Sequence, residues 1–233
     1  MVDHKSLTIA ASEVSKVTNK SLDHLIVNGG YLDVRATFIT PTEFIGQEDL
    51  LRREFSNNLD VNVLGVMYSI NAFLPLIRKG NAKKITVMST GLAELELTQK
   101  ANIAFSVLYS STKAATNIVV AKYAAELRGE GIILLALSPG VVNTATGPRK
   151  FTRLENLRVG IEVIVWKLTT QIALPEHIPR MQEMGAKFSS LYPNFRGPIT
   201  PAESVPLMKK VMDNMTIEES GAFLSHRGSK EWL

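Results

Sequence analysis

A chain of 233 residues, 45% of them hydrophobic and with no shift in composition along its length, is long enough for one sizeable core, so a single domain over 1–233 is expected. Its longest apolar runs, such as residues 132–137, fall well short of the roughly 20 that cross a bilayer, its first residues carry no signal-peptide core, and the absence of cysteine excludes disulfides and thiolate chemistry; together these set the expectation of a cytoplasmic protein with no membrane partner. The net charge of +4 is spread through mixed clusters such as Arg52-Arg53-Glu54 and Lys209-Lys210-Asp213, which read as solvated helix faces and argue against a nucleic-acid partner.

In chain order, residues 7–17 have apolar side chains at helical spacing, and 25–27 form a short apolar strand stopped by Asn28-Gly29-Gly30. A helical pattern over 49–77 ends at Lys79-Gly80-Asn81, ahead of a buried strand at 84–88. Residues 91–106 read as loop. A helix over 108–128 stops at Gly129-Glu130-Gly131, and 132–137 make a third strand closed by Ser138-Pro139-Gly140. The next sixty or so residues read as irregular and helical, with several prolines; 201–215 make a last helix and 221–224 a last short strand. Strands alternating with long helices imply an α/β fold with a doubly wound parallel sheet, in which ligands sit at the carboxyl ends of the strands.

Three polar clusters follow strand ends and should converge: Asn28-Gly29-Gly30, Ser89-Thr90 and Ser138-Pro139-Gly140. Tyr109 and Lys113 are four apart on one helix and project from the same face. An ammonium beside a phenol is expected to lower the phenol's pKa from about 10 toward the working pH, which suits proton transfer, while Ser89 or Thr90 binds a substrate carbonyl oxygen. Among other residues, Trp166 and its apolar neighbours Ile161, Val163, Ile164, Val165 and Leu168 read as core or dimer packing, and His177 as a surface histidine. His4, His24 and His226 stand isolated and give no metal site. Met181, Met184 and Phe188 fit either a substrate wall or a helix stripe on the core.

These motifs, in this order, resemble the short-chain dehydrogenase/reductase family. Val27-Asn28-Gly29-Gly30 is similar to the family's Asn-Asn-Ala-Gly strand end, with the first Asn and the Ala replaced. Asn62-Val63-Leu64-Gly65 matches Asn-Val-x-Gly, Thr90 falls on the family's serine with Ser89 before it, and Tyr109-Ser110-Ser111-Thr112-Lys113 matches Tyr-x-x-x-Lys. Pro139-Gly140-Val141-Val142-Asn143-Thr144 resembles the segment that flanks the nicotinamide. The resemblance implies Tyr109 as acid/base, Lys113 as the group that lowers its pKa and binds the cofactor ribose, Thr90 or Ser89 as carbonyl-orienting hydroxyl and Asn62 as support of a proton relay. If a nicotinamide cofactor binds, it implies Asn28, Gly29, Gly30, Pro139, Gly140, Val142 and Thr144 around it. It also implies a homodimer through the helices carrying Asn62 and Tyr109, and a substrate-loop insertion at 145–200.

The chain departs from the family at its start. The family's opening strand, its Thr-Gly-x-x-x-Gly-x-Gly turn and the helix that receives the pyrophosphate have no counterpart, so a truncated Rossmann-like sheet is expected, with the edge of the strand ending at Val27 left open and needing cover from the N-terminal segment, a rearranged helix or another subunit. Gly129-Glu130-Gly131 is no substitute, because it precedes a strand and has Leu134 where a third glycine would stand. The reading that follows is a non-redox enzyme with no cofactor, using Tyr109 and Lys113 on a carbonyl or hydroxyl of a fairly apolar small molecule in isomerisation, dehydration or cyclisation. One alternative is an NADP(H)- or NAD(H)-dependent oxidoreductase whose cofactor segment is missing from this chain; another is a non-catalytic binding or scaffolding protein.

Overall fold

The computed structural model describes residues 2–144 and 177–233. Four parallel strands, β1 (His24–Val27), β2 (Lys84–Met88), β3 (Ile133–Ser138) and β4 (Phe223–Ser225), lie side by side in that order. The helices are α1 (His4–Val17), α2 (Val34–Thr37), α3 (Glu48–Leu59), α4 (Gly65–Ile77), α5 (Leu95–Ala101), α6 (Val107–Leu127), α7 (Ile178–Leu191) and α8 (Pro201–Asn214). Local chemistry sets several ends. The Asp3 carboxylate accepts the Lys5 N–H at the start of α1, and α8 opens on a reciprocal Thr200–Glu203 cap with Pro201 at its first position.

Alternation along the strands divides the core between the two faces. Leu25, Val27, Ile85, Val87, Leu134 and Ala136 pack against Val66, Ile70, Phe73 and Ile77 of α4 and Val120, Ala124 and Leu127 of α6, and α1 joins through Ala11. On the other face Met88, Leu135 and Leu137 meet Met208, Val211 and Met212 of α8. Helices on both faces explain why β2 and β3 are buried almost throughout and read as continuous apolar runs. The continuous helical stretch Glu48–Ile77 is long and apolar enough to cross a bilayer by length and composition, but its most apolar part is the α4 face that builds this core.

The expected parallel α/β architecture is what the chain forms, with differences in detail. Residues 91–106, expected as loop, contain a turn at Gly91–Ala93 and the helix α5. Leu97 and Ala101 of α5 are buried with Phe188 and Trp232, partners some 90 to 130 positions away that no local pattern reveals. The helical run over 49–77 is one rod interrupted by a π-turn at Asp60–Leu64. β1 is the edge strand: β2 is its one partner among the described strands, and α1 packs on α4. Trp166 and its apolar neighbours, and the expected insertion up to residue 176, lie outside the described residues.

Candidate active site

The π-turn places Asn62, and it forms because Asn62 is wanted elsewhere. Its carbonyl accepts the Thr116 hydroxyl at 2.7 Å, its Oδ1 accepts the Tyr31 N–H at 2.8 Å, and its Nδ2 donates to the Tyr31 carbonyl at 3.1 Å and to Thr112 Oγ1 at 3.0 Å. One extra residue in the turn lets a fully buried side chain face the end of β1 instead of following the helix, the usual reason a π-turn sits at a site. Gly30 lies between Asn62 and Lys113: a β-carbon there would stand 3.6 Å from both Asn62 Oδ1 and Lys113 Nζ. Asn28, Gly29 and Gly30 thus bring the end of β1 to the helix pair, as the spacing predicts.

Lys113 is buried to 2% exposure and donates to the Met88 carbonyl at the end of β2, 2.8 Å away. Its ammonium lies 5.8 Å from the centroid of the Tyr109 ring. Burial lowers the lysine to about 8 and raises the Tyr109 phenol to about 12. The expected lowering of the phenol by its neighbour is therefore corrected: the ammonium is turned to a backbone carbonyl, and desolvation of the phenolate outweighs what attraction remains. Because the folded-state pKa of Lys113 lies below its ordinary 10.5, the unfolded chain binds more protons between about pH 8 and 10.5, and this residue's contribution to stability rises across that window at up to about 1.4 kcal/mol per pH unit. Urea unfolding followed from pH 8 to 10 should show that rise in the wild type and lose it in Lys113→Met; equal slopes would contradict the buried ammonium.

The two hydroxyls after β2 separate in role. Ser89 donates to Asn117 Oδ1 at 2.7 Å, one turn beyond Lys113 on α6, and is buried. Thr90 accepts the Leu92 N–H at 3.3 Å and caps the Gly91–Ala93 turn that packs on α6, which leaves its own proton to donate. Pro139, Gly140 and Val142 follow β3 but are held from the α8 side. The Pro139 carbonyl accepts the Ser204 hydroxyl at 2.7 Å, and Val142 bridges to Ile199. Gly140, at φ +83°, allows His226 to pack where a β-carbon would come within 2.8 Å of the imidazole.

The histidines differ from their expected isolation. His177 is buried to 7% exposure against Phe38, at 4.8 Å between rings, so the expectation of a surface histidine is corrected: packing on an aromatic ring removes it from water. His226 is buried, and His24 shares a 2.9 Å hydrogen bond with Thr86 while burial, then Lys84, lower it to about 4. Phe188 is core, packed with Met184, whereas Met181 is exposed.

Sequence reasoning missed Glu54. It is 1% exposed, accepts the Tyr31 hydroxyl at 2.7 Å and Arg53 Nε at 2.9 Å, and its backbone carbonyl takes Asn58, which in turn accepts from Asn62 at 3.2 Å. The signal was present as polar residues 54, 58 and 62 repeating every four positions on one helix face. This chain of contacts locks the Tyr31 backbone that grips Asn62.

With the geometry in place, the sequence profile described as short chain dehydrogenase matches residues 2–154, and the chain belongs to the short-chain dehydrogenase/reductase family. It aligns over its whole length with the short-chain dehydrogenase/reductase atnB of Arthrinium sp at 35% identity over 233 residues, spanning 79% of that protein. The short-chain dehydrogenase/reductase AacuF of Aspergillus aculeatus is 34% identical over 235 residues, again with 100% of this chain and 79% of the relative covered. The NADPH-bound carbonyl reductase from chicken fatty liver shares the fold at a TM-score of 0.65 and 21% identity, covering 98% of this chain and 73% of that one.

Proposed function

We propose that this chain carries the catalytic part of an NAD(P)H-dependent oxidoreductase that interconverts a carbonyl and a hydroxyl on a small molecule. The observation that carries the reading is the convergence of Asn62 and the buried Lys113 ammonium on Gly30, with Tyr109 one helical turn before Lys113. The expectation of a cofactor-free, non-redox enzyme is the weaker reading: matched relatives are named dehydrogenases and reductases, and the carbonyl reductase of the same fold is NADPH-bound.

The residues present fit the nicotinamide riboside end of such a cofactor. Lys113 uses one N–H on Met88 and has donors to spare for a ribose hydroxyl, and Gly30 has no side chain to fill the space before it. The described residues include no glycine-rich turn at a helix N-terminus for the pyrophosphate. A reduced nicotinamide held there by Lys113 would supply the hydride. Thr90 then donates a hydrogen bond to the carbonyl oxygen, and Tyr109 gives that oxygen its phenolic proton. The raised phenol pKa keeps the proton in place until negative charge develops on the substrate. A homodimer through α3–α4 and α6 belongs to the same proposal, supported by Leu64 and Ile118 standing exposed on those helices.

The test is NADPH and NADH oxidation by the purified chain against a panel of ketones and aldehydes. Carbonyl-dependent oxidation is expected with at least one of the two; a folded protein that binds neither nucleotide and oxidises neither would return the non-redox reading to first place.

A further inference from the structure

The Thr90 hydroxyl owes its place to residues far along the chain. Thr90 opens the Gly91–Ala93 turn, which is closed by the Ala93 N–H on the Thr90 carbonyl at 3.0 Å and the Glu94 N–H on the Gly91 carbonyl at 2.9 Å. Two bonds tie the base of the turn to the end of β3. The Ser89 N–H donates to the Leu137 carbonyl at 2.8 Å, and the Gly91 N–H donates to Ser138 Oγ at 3.0 Å. Residues 230–232 grip the turn as well. A β-carbon at Gly91 would stand 3.0 Å from Trp232 Cβ and 3.3 Å from its Cγ, so only glycine lets the tryptophan close on the turn without a shift. Just past the turn, the Glu94 carboxylate accepts Lys230 Nζ at 3.1 Å. Trp232 is itself fixed: it is buried and stacks on Phe223 of β4 at 4.3 Å between rings, and the Lys230 ammonium lies 5.3 Å from the centre of each ring. Because β4 pairs with β3, the strand that anchors the turn, the contacts form a closed circuit.

We propose that Trp232 and Lys230 are positioning residues for Thr90: acting through Gly91 and Glu94, they clamp the turn and so set the direction in which the Thr90 hydroxyl donates to the substrate oxygen. The catalytic half of this statement rests on the oxidoreductase reading above. A hydrogen bond weakens steeply as its angle closes, so a hydroxyl that polarises a carbonyl must be aimed before the charge develops. The one hydrogen bond of the Thr90 side chain, from the Leu92 N–H, is long at 3.3 Å and holds the hydroxyl loosely by itself. Rigidity of the turn supplies the rest, and that rigidity comes from β3 on one side and from the clasp built on β4 on the other.

The experiment pairs steady-state kinetics with hydrogen exchange on the whole chain. Lys230→Gln, at an exposed side chain, should lower kcat by about threefold or more with KM for the carbonyl and the unfolding midpoint unchanged, and Lys230→Arg should restore the rate. Trp232→Phe keeps the β- and γ-carbons against Gly91 and should stay within about twofold of wild type, whereas Trp232→Ala should lose about tenfold; Lys230→Gln carries the test if that variant does not fold. In a Thr90→Val background, where no hydroxyl remains to aim, Lys230→Gln should cost nothing further, and an equal loss with and without the hydroxyl would overturn the proposal. Hydrogen exchange of the cofactor-free chain reads the clasp without turnover. The Gly91 and Leu92 amides should exchange about tenfold faster in Lys230→Gln than in wild type. Faster exchange in a chain that reduces no carbonyl would sink the oxidoreductase reading alone; wild-type turnover, with kcat and exchange both indifferent to Lys230→Gln, would sink the clasp alone.

Discussion

Tyr109→Phe is expected to cut carbonyl-dependent NAD(P)H oxidation by about 10² to 10⁴ with little change in KM for the carbonyl. The substitution removes one oxygen and keeps the ring. That oxygen makes no hydrogen bond to the described residues, so its loss strands no buried partner among them, and the unfolding free energy should stay within about 0.5 kcal/mol of wild type. Separating rate from stability in this way distinguishes a proton donor from a packing residue. A second sign is available in the pH profile: wild-type turnover should decline as pH passes about 8, where burial makes Lys113 surrender its charge, because the neutral amine has one N–H donor fewer for a ribose hydroxyl. Undiminished turnover in the variant would remove Tyr109 from the reaction.

Gly80→Ala should be strongly damaging, costing about 3 kcal/mol or more. A β-carbon at Gly80 would lie 2.1 Å from the Leu22 carbonyl oxygen, 2.8 Å from its carbon and 3.2 Å from the Asp23 Cα. All three are backbone, on the approach to β1, and none can swing aside as a side chain would. The contact is held shut by the Leu22 N–H on the Leu76 carbonyl at 3.1 Å and by Asp23 Oδ1 on the Asn81 N–H at 2.6 Å, so opening it also breaks the bonds that dock β1 beside α4. Gly129→Ala is the matched control: nothing lies within 4 Å of its β-carbon, and reduced freedom in the unfolded chain should leave stability equal or slightly higher. Urea unfolding of the pair checks both, and a Gly80→Ala protein as stable as Gly129→Ala would mean that the turn can open without cost.

Much of the fold was legible because its signals are local and periodic. The five-residue strand at Lys84–Met88 coincides with the apolar run, and α6 lies within one residue of its expected ends, since a buried strand and a long helix bounded by glycines leave marks that neighbours do not alter. Tyr109, Lys113 and the Asn28-Gly29-Gly30 turn were legible for a related reason: the spacing of residues on helices and at strand ends decides which face they share, whereas Asn62 was reached only through the family resemblance. What failed was whatever depended on a partner distant in sequence. α5 owes its burial to Phe188 and Trp232, and the π-turn exists because Asn62 answers to Tyr31 and Thr116.

Electrostatics failed for the same reason. Sequence spacing puts Lys113 beside Tyr109 but cannot say that the Met88 carbonyl will take the ammonium, nor that burial will raise the phenol. By itself, then, the amino-acid order determined a parallel α/β sheet with Tyr109 and Lys113 on one helix face near its strand ends, because hydrophobic period and motif spacing are properties of the chain. Only the tertiary structure decided which way Lys113 points, that Glu54 braces Asn62 through Tyr31, and that His177 is buried beside two arginines, because desolvation and hydrogen-bond partnership exist only once distant segments have met.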